Sequence, residues 1–243
     1  MKARGRSGSN GRAAGAIPVS TLTPTQERFL AGFFSEGENP FYLSGGTALS
    51  GFYLGHRASD DLDFFTRDRE SLRGADRYVE AGARAAALTI ERKLPRGDLV
   101  QYFLSGDTDP SHPLLKIELL FDAEPYFAEP RSFDGIRVDE LLSIAVNKIT
   151  IILRFEPKDY FDIYMIVKSG RHRLEDLIPL AKEKLVGLDE VTIGAHFRQA
   201  LALPNLVEYQ QAYMLVPVDL SDLLRFFADW AERLFAALPP RPE

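Results

Sequence analysis

A glycine pair between two apolar segments constrains this chain most. Residues 41–43 form a short apolar run that predicts a buried strand, and residues 48–54 have the spacing of a short helix. A strand that turns directly into a helix leaves free backbone N–H groups and the positive end of the helix dipole, which favour an anion. The sequence therefore predicts an anion-binding turn made of Ser44, Gly45, Gly46 and Thr47.

Two aspartates follow this turn at strand spacing. Asp61 and Asp63 alternate with Leu62 and Phe64, so a strand would present both carboxylates on one face and both apolar side chains to the core. Paired carboxylates repel unless a cation lies between them, and Mg²⁺ is commonly held by one or two carboxylates plus substrate phosphates. Either motif alone is usually a plain turn or a solvated strand end. Together they favour phosphoryl or nucleotidyl transfer.

These residues resemble the Gly-Gly/Ser…Asp-x-Asp signature of the DNA polymerase β-like nucleotidyltransferases. The strings at 43–49 and 56–65 are similar to one branch, the AbiEii/AbiGii-type nucleotidyltransferases, which are toxins of bacterial toxin–antitoxin and abortive-infection systems. The resemblance spans about residues 41–168. It implies an α+β fold, in which a polymerase-β-like nucleotidyltransferase core (a mixed sheet with flanking helices) is followed by a helical C-terminal region.

Later elements of the signature extend the resemblance. Lys116-x-Glu118 resembles the family's Lys-x-Asp element and lies on a predicted strand, 114–122, with both side chains on one face. Glu118 would thus join the aspartates, unless it serves only as an ion-pair partner for Lys116 or a neighbouring strand. Lys148 stands where the family has a helix lysine, although a lysine reaching out from a packed helix is the alternative.

A third element, Arg154-x-x-x-Lys158-Asp159-x-x-Asp162, resembles the family's Arg-x-x-x-Arg-Asp-x-x-Asp. It implies that Asp159 belongs to the site, whereas Asp162 is expected to form an ion pair with Arg154. Arg57 either contacts phosphate or orients the neighbouring aspartates. We interpret His56 as a loop histidine, because the histidines of the chain lack metal-ligand spacing.

The resemblance implies a task for each residue of the site. The catalytic residues would be Asp61, Asp63, Glu118, Lys148 and Asp159. The NTP would be bound by Ser44, Gly45, Gly46, Thr47, Arg57, Lys116 and Lys148, the turn supplying N–H and hydroxyl donors. Mg²⁺ or Mn²⁺ would be bound by Asp61, Asp63 and Glu118.

Composition limits the remaining possibilities. The 243 residues include no cysteine, which excludes disulfides and thiolate metal sites. No apolar run has the length of a membrane span, so we expect a soluble cytoplasmic protein without a membrane partner. The net charge of −6 argues against a generally basic nucleic-acid-binding surface. We expect a disordered basic tail at 1–20, an α/β core at 21–138 and a helical region at 139–243 that completes the active site.

Local signals predict most of the elements. Thr23 and Gln26 form a capping box at the start of a helix, and Pro95 to Asp98 is a hairpin signal. The predicted strands are 89–94, 99–105, 114–122 and 136–138. The predicted helices after Asp139, taken as an N-cap, are 140–154 (ended by Pro157), 158–168, 174–185, 189–203 and 221–238.

The sequence thus leads to a functional hypothesis with two rivals. The main hypothesis is metal-dependent transfer of an NMP from an NTP to an RNA (tRNA-like) or protein hydroxyl, by a toxin whose antitoxin is encoded by a neighbouring gene. One rival is transfer to a small molecule such as an antibiotic. The other is a nucleotide-binding interaction protein without catalysis, which would have no need for a paired metal site.

Overall fold

A seven-stranded mixed sheet organises the chain, in a computed structural model that describes residues 21–106 and 114–237. The strands are β1 (Tyr42–Ser44), β2 (Leu62–Thr66), β3 (Thr89–Arg96), β4 (Leu99–Ser105), β5 (Leu114–Phe121), β6 (Arg131–Phe133) and β7 (Ile136–Val138). Their order across the sheet is β3-β4-β5-β2-β1-β7-β6. β2 runs antiparallel to β1 and parallel to β5.

Helices flank this sheet and form the C-terminal region of the chain. They are α1 (Pro24–Phe33), α2 (Gly45–Ala48), α3 (Asp76–Ala86), α4 (Leu141–Thr150), α5 (Pro157–Lys168), α6 (Leu174–Lys184), α7 (Glu190–Arg198), α8 (Leu206–Tyr213) and α9 (Leu220–Ala236). α2 continues as a π-helical segment, Leu49–Leu54, and α4 as a 3₁₀ turn, Ile151–Arg154. This arrangement confirms the predicted α+β fold with a helical C-terminal region.

One part of the hydrophobic core lies between the sheet and the helices α1 and α3, and the core continues through the C-terminal helices. Leu62 and Phe64 of β2 point into it and are fully buried, while Asp63 lies on the opposite face, as the alternation predicts. Phe33 of α1 stacks on Phe64 with ring centroids 4.0 Å apart. The capping box of α1 is present, since the Thr23 side chain accepts from the Gln26 N–H and the Gln26 side chain from the Thr23 N–H. The packing of Leu62 and Phe64 therefore leaves Asp63 on the face of β2 that points away from this part of the core.

Several predicted boundaries are wrong, for local physical reasons. The helix after β1 begins at Gly45 rather than at residue 48. The N-cap of α4 is Glu140, because the Asp139 carboxylate is buried and accepts a hydrogen bond from the Ser44 hydroxyl at 2.8 Å. Pro157 begins α5 instead of ending α4, since a helix tolerates proline in its first turn. β6 and α8 were not predicted.

Two further expectations from the sequence concern the N-terminal tail and membrane-spanning helices. The tail at 1–20 lies outside the described residues. No helix in the described ranges is long and apolar enough to cross a lipid bilayer.

Candidate functional site

A cavity of about 540 Å³ lies beside the carboxylate face of β2 and β5. Its walls bring together residues from the start of α2, the loop before β2, both strands, and the helices α4, α5 and α8. The predicted residues that line it are Gly45, Gly46, Arg57, Asp61, Asp63, Lys116, Glu118, Lys148 and Asp159. We call this cavity the cleft.

Three carboxylates and one ammonium group form the floor of the cleft. Asp63 and Glu118 are register partners on the parallel strands β2 and β5. The Lys116 Nζ lies 2.7 Å from the Glu118 Oε1 and 3.5 Å from the Asp61 Oδ2, so its positive charge sits between two carboxylates. Glu118 also accepts a hydrogen bond from the Gln101 Nε2 at 2.6 Å. The ion pair that the sequence left as an alternative for Glu118 is therefore present, and it lies in the cleft.

The acidic floor shifts two pKa values in opposite directions. Burial and the charges of Glu118 and Asp61 raise the pKa of Asp63 to about 6. Burial alone would raise the pKa of Glu118 as well, but hydrogen bonds from Lys116 and Gln101 outweigh it and lower that pKa. At neutral pH the floor thus carries more negative charge than its single lysine balances.

The carboxylates on the floor of the cleft are the candidate ligands for a metal ion. Within residues 21–106 and 114–237, no three His, Asp or Glu side chains are already grouped closely enough to hold a metal. Glu118 contacts Lys116 and Gln101, and its carboxylate also interacts with Asp63. A pair of carboxylates nevertheless fits Mg²⁺, which keeps several waters and shares its remaining positions with phosphate oxygens. Asp61 and Asp63 supply such a pair.

The glycine turn is shaped by contacts that exclude any side chain. Gly45 has φ +67°, and a Cβ there would lie 2.2 Å from the Asp63 Oδ2. A Cβ on Gly46 would lie 2.2 Å from the Arg57 Nη2 and 3.1 Å from the Ser59 Oγ. Both glycines are therefore required so that the turn can approach Asp63 and Arg57.

The hydroxyl groups of the turn do not face the cleft. Ser44 is buried and donates to Asp139, and Thr47 is buried and donates to the Asp61 carbonyl oxygen. The Thr47 hydroxyl also lies 2.9 Å from the Ser59 Oγ. The Ser44 and Thr47 hydroxyls, which were predicted to bind phosphate, therefore stabilise the turn. The backbone N–H groups at the start of α2 remain as candidates for binding an anion.

A buried ion network behind the cleft is centred on Asp162. The Arg57 guanidinium donates to both Asp162 oxygens, from Nε at 2.7 Å and from Nη2 at 2.9 Å. The Lys148 Nζ lies 2.7 Å from Asp162 and 3.0 Å from Asp159. Burial would raise the pKa of Asp162, but these two cations outweigh it and hold the pKa well below its ordinary range. The predicted Asp162–Arg154 pair is wrong, since Arg154 lines the cleft instead.

This network bears on two questions that the sequence left open. Lys148 is only 4% exposed and bridges two carboxylates, so it does not extend from the helix into solvent. Arg57 is held by Asp162 and the Ala58 carbonyl oxygen rather than by Asp61 or Asp63. Asp159 is also buried, and its Oδ2 has no hydrogen-bond partner within the described part of the chain. Asp159 is one of the residues that line the cleft.

His56 belongs to the same network. It lies in the loop before β2, as predicted, but it is fully buried, and its Nε2 lies 2.7 Å from the Asp162 Oδ1. Burial lowers the pKa of His56 despite this neighbouring carboxylate, so the ring is neutral at pH 7. The residue helps to position Asp162 and does not face the cleft.

Two aromatic residues of the cleft wall were missed by sequence reasoning. Tyr209 and Tyr213 of α8 line the cleft, and their rings stack with centroids 4.9 Å apart. The only available sequence signal is their i, i+4 spacing, which places two residues on one face of a helix. Their position beside the loop before β2 depends on long-range packing.

Comparison with known proteins finds one relative in sequence and two in fold. An uncharacterized protein of Aquifex aeolicus (strain VF5) is 29% identical over 156 residues, which cover 62% of this chain and 69% of that protein. Two structures from Helicobacter pylori share the fold: JHP933 (18% identity, TM-score 0.55) and a candidate nucleotidyltransferase (19% identity, TM-score 0.58). Each alignment covers 87% of this chain, with 89% of JHP933 and 92% of the other structure.

A family profile gives the assignment itself. Residues 28–233 match the profile described as "Nucleotidyl transferase AbiEii toxin, Type IV TA system". The match includes every residue of the cleft discussed above. The chain belongs to the AbiEii nucleotidyl transferase toxin family.

Proposed function

We propose that this protein transfers an NMP from an NTP to a hydroxyl group of an RNA or protein acceptor, as the toxin of a toxin–antitoxin system. One observation supports this proposal above the others: the glycine turn and the Asp61–Asp63 pair border the same cleft, with Gly45 packed against the Asp63 carboxylate. Phosphate-binding N–H groups and metal-binding carboxylates are thus adjacent. Nucleotidyl transfer requires that adjacency, whereas a binding-only protein does not.

The carboxylates have separate tasks in this proposal. Asp61 and Asp63 hold Mg²⁺ or Mn²⁺ together with the phosphates of the NTP. When bound there, such a metal would neutralise phosphate charge and lower the pKa of an attacking hydroxyl. Glu118 stays ionised at neutral pH because Lys116 and Gln101 lower its pKa, and it accepts a hydrogen bond from the acceptor hydroxyl. Lys116 faces the same floor and contributes positive charge toward the phosphates.

The helical region supplies the remaining charge. Lys148 and Arg57 are kept cationic by Asp162, and both line the cleft. Burial would lower both pKa values, but the Asp162 carboxylate outweighs it and raises them. We assign Lys148 to the triphosphate, where fixed positive charge favours the leaving pyrophosphate. Asp159 lines the cleft and helps Asp162 to keep Lys148 cationic there.

The biological part of the proposal rests on the family. A toxin implies a cognate antitoxin, which we expect to be encoded by a neighbouring gene. Expression of the wild-type chain alone should arrest bacterial growth, and expression of Asp63→Ala should not. Unimpaired growth with an active transferase would contradict the toxin assignment and favour a small-molecule acceptor.

The transfer itself can be tested directly. The purified protein is incubated with Mg²⁺, each of four α-³²P-labelled NTPs and, separately, total RNA, a protein extract or a panel of aminoglycosides. We expect label on RNA or on protein, and none with Asp63→Ala. Mass spectrometry of the labelled product then identifies the acceptor atom. Label on the small molecules alone would contradict the acceptor class, and NTP binding without any transfer would favour the non-catalytic rival.

A further inference from the structure

Three stacked aromatic rings lead from the protein core to the wall of the cleft. Phe161 of α5 is fully buried and stacks on Tyr209, with centroids 5.6 Å apart and an interplanar angle of 25°. Tyr209 stacks in turn on Tyr213, with 4.9 Å and 23°. Tyr213 is 37% exposed and, among the described residues, stacks on no further ring. The ladder therefore ends in an accessible aromatic ring that borders the cleft.

Backbone hydrogen bonds hold the end of α8, including Tyr213, against the loop before β2. The Ala58 N–H donates to the Tyr213 carbonyl oxygen at 2.8 Å, and the Leu215 N–H donates to the His56 carbonyl oxygen at 2.9 Å. These bonds join the end of α8 to the segment just before Asp61. Tyr213 thus has a fixed backbone position relative to the paired carboxylates.

The same loop connects Tyr213 to the glycine turn. Ser59 follows Ala58, and its Oγ would lie 3.1 Å from a Cβ on Gly46. One short segment therefore contacts the turn proposed for the phosphates and, one residue earlier, the backbone of Tyr213. Gly45, Gly46 and Tyr213 line the same cleft, so a nucleotide whose phosphates lie on the turn shares that cavity with this ring.

We propose that Tyr213, supported from behind by Tyr209 and Phe161, is the platform on which the base of the incoming NTP stacks. This inference rests on the proposed function. A tyrosine ring offers a flat face with few rotatable bonds, and the ring stacked behind it holds that face in place. Stacking on an aromatic side chain tolerates every base because each base has a π-face. The platform fits a protein that binds nucleotides and does not by itself select one of the four.

The test compares a nucleotide with its phosphate chain alone. Binding of ATP and of tripolyphosphate is measured in Mg²⁺ by calorimetry for the wild type, Tyr213→Ala, Tyr213→Leu and Tyr213→Phe. We expect Tyr213→Ala and Tyr213→Leu to weaken ATP binding about tenfold to a hundredfold, the range that loss of one base–aromatic stack gives. Tripolyphosphate binding should be unchanged in both. Tyr213→Phe keeps the ring and should bind ATP like the wild type.

Controls separate stacking from damage to α8. Gln211→Ala changes an exposed residue of the same helix that does not line the cleft, and it should leave both affinities unchanged. Tyr213→Leu keeps an apolar side chain against Tyr209, so a stable leucine variant tests the π-face even if the alanine variant unfolds.

Three results would overturn the inference. The first is an unchanged ATP affinity in Tyr213→Leu. If that variant instead loses affinity for a short RNA, measured in the same way, the ring serves the acceptor and not the NTP. The second is an equal loss for ATP and tripolyphosphate, which would show that Tyr213 merely shapes the cleft. The third is a wild-type protein that binds tripolyphosphate as tightly as ATP. A wild type that binds neither molecule would instead contradict the proposed function and remove the basis of the platform with it.

Discussion

Asp63 on β2 and Glu118 on β5 face each other as register partners, and their carboxylates meet on the floor of the cleft. The Lys116 Nζ lies 2.7 Å from the Glu118 carboxylate and balances its charge. Burial and the acidic neighbours of Asp63 raise the pKa of Asp63 to about 6. The pair therefore retains a proton at a pH where isolated aspartates have lost theirs. A bound cation would replace that proton, which links metal binding, protonation and folding stability.

The raised pKa predicts how stability depends on pH without metal. The folded state holds the Asp63 proton more tightly than the unfolded state, so this group favours folding at low pH. That contribution is lost as the pH rises from about 4 through about 6. Asp63→Asn cannot ionise, and it should be more stable than the wild type at pH 7 by on the order of 1–3 kcal/mol. Urea unfolding in EDTA at pH 4.5 and 7 measures the difference.

Metal provides the matching control for Asp63→Asn. Mg²⁺ should stabilise the wild type at pH 7 more than the variant, because the variant lacks one ligand charge. Identical pH profiles for the two proteins, or a stabilisation by Mg²⁺ that is the same in both, would contradict the assigned role of Asp63.

The close approach of Gly45 to Asp63 predicts a loss of activity rather than of folding. Gly45→Ala introduces a Cβ that would lie 2.2 Å from the Asp63 Oδ2, so the carboxylate must move. A displacement of this kind near reacting atoms can lower the rate about a hundredfold. Gly97→Ala is the matched control, since Gly97 also has positive φ (+61°) and a Cβ there meets nothing within 4 Å.

Each glycine variant should lose about 1–2 kcal/mol of unfolding free energy because it forces alanine into the left-handed region. Gly45→Ala should lose more than this, because its Cβ also displaces Asp63. Only Gly45→Ala should lose transfer activity. Comparable activity in the two variants, measured per folded molecule, would show that the contact with Asp63 does not matter for catalysis.

The Asp162 network predicts a large cost in stability. Asp162→Asn leaves Arg57 and Lys148 buried without their shared carboxylate, and breaking a buried ion pair in this way costs about 3–5 kcal/mol. Thermal and urea unfolding measure that loss. Glu70→Gln removes the partner of Arg73 in an exposed pair and should change stability little. A mild effect of Asp162→Asn would mean that water or another group satisfies the two cations.

Glu118 and Lys116 contact each other, so paired variants are needed to assign their roles. Glu118→Gln should lower turnover about a hundredfold while nucleotide affinity changes little, since its charge matters when the acceptor hydroxyl loses its proton. Lys116→Met should mainly weaken NTP binding. If the two residues form only a structural ion pair, both variants should lose thermal stability to a similar extent and keep full turnover per folded molecule.

The sequence alone determined the features that depend on local periodicity and local sterics. Alternation at Asp61, Leu62, Asp63 and Phe64 specifies which side chains face the core, because a strand has a period of two and only apolar groups are buried at low cost. The capping box at Thr23 likewise depends on residues three positions apart. The family resemblance, carried by the glycine turn and the two aspartates, added the fold that these local elements could not specify.

Only the tertiary structure decided which distant charges pair and which rings reach the cleft. Asp162 takes Arg57, 105 residues away, instead of Arg154, eight residues away, because the α5 face that carries Asp162 packs against the loop before β2. Ser44 reaches Asp139 across 95 residues, and Tyr213 reaches the backbone of Ala58. A buried charge must be satisfied wherever packing places it, so its partner follows from the arrangement of elements and not from spacing along the chain.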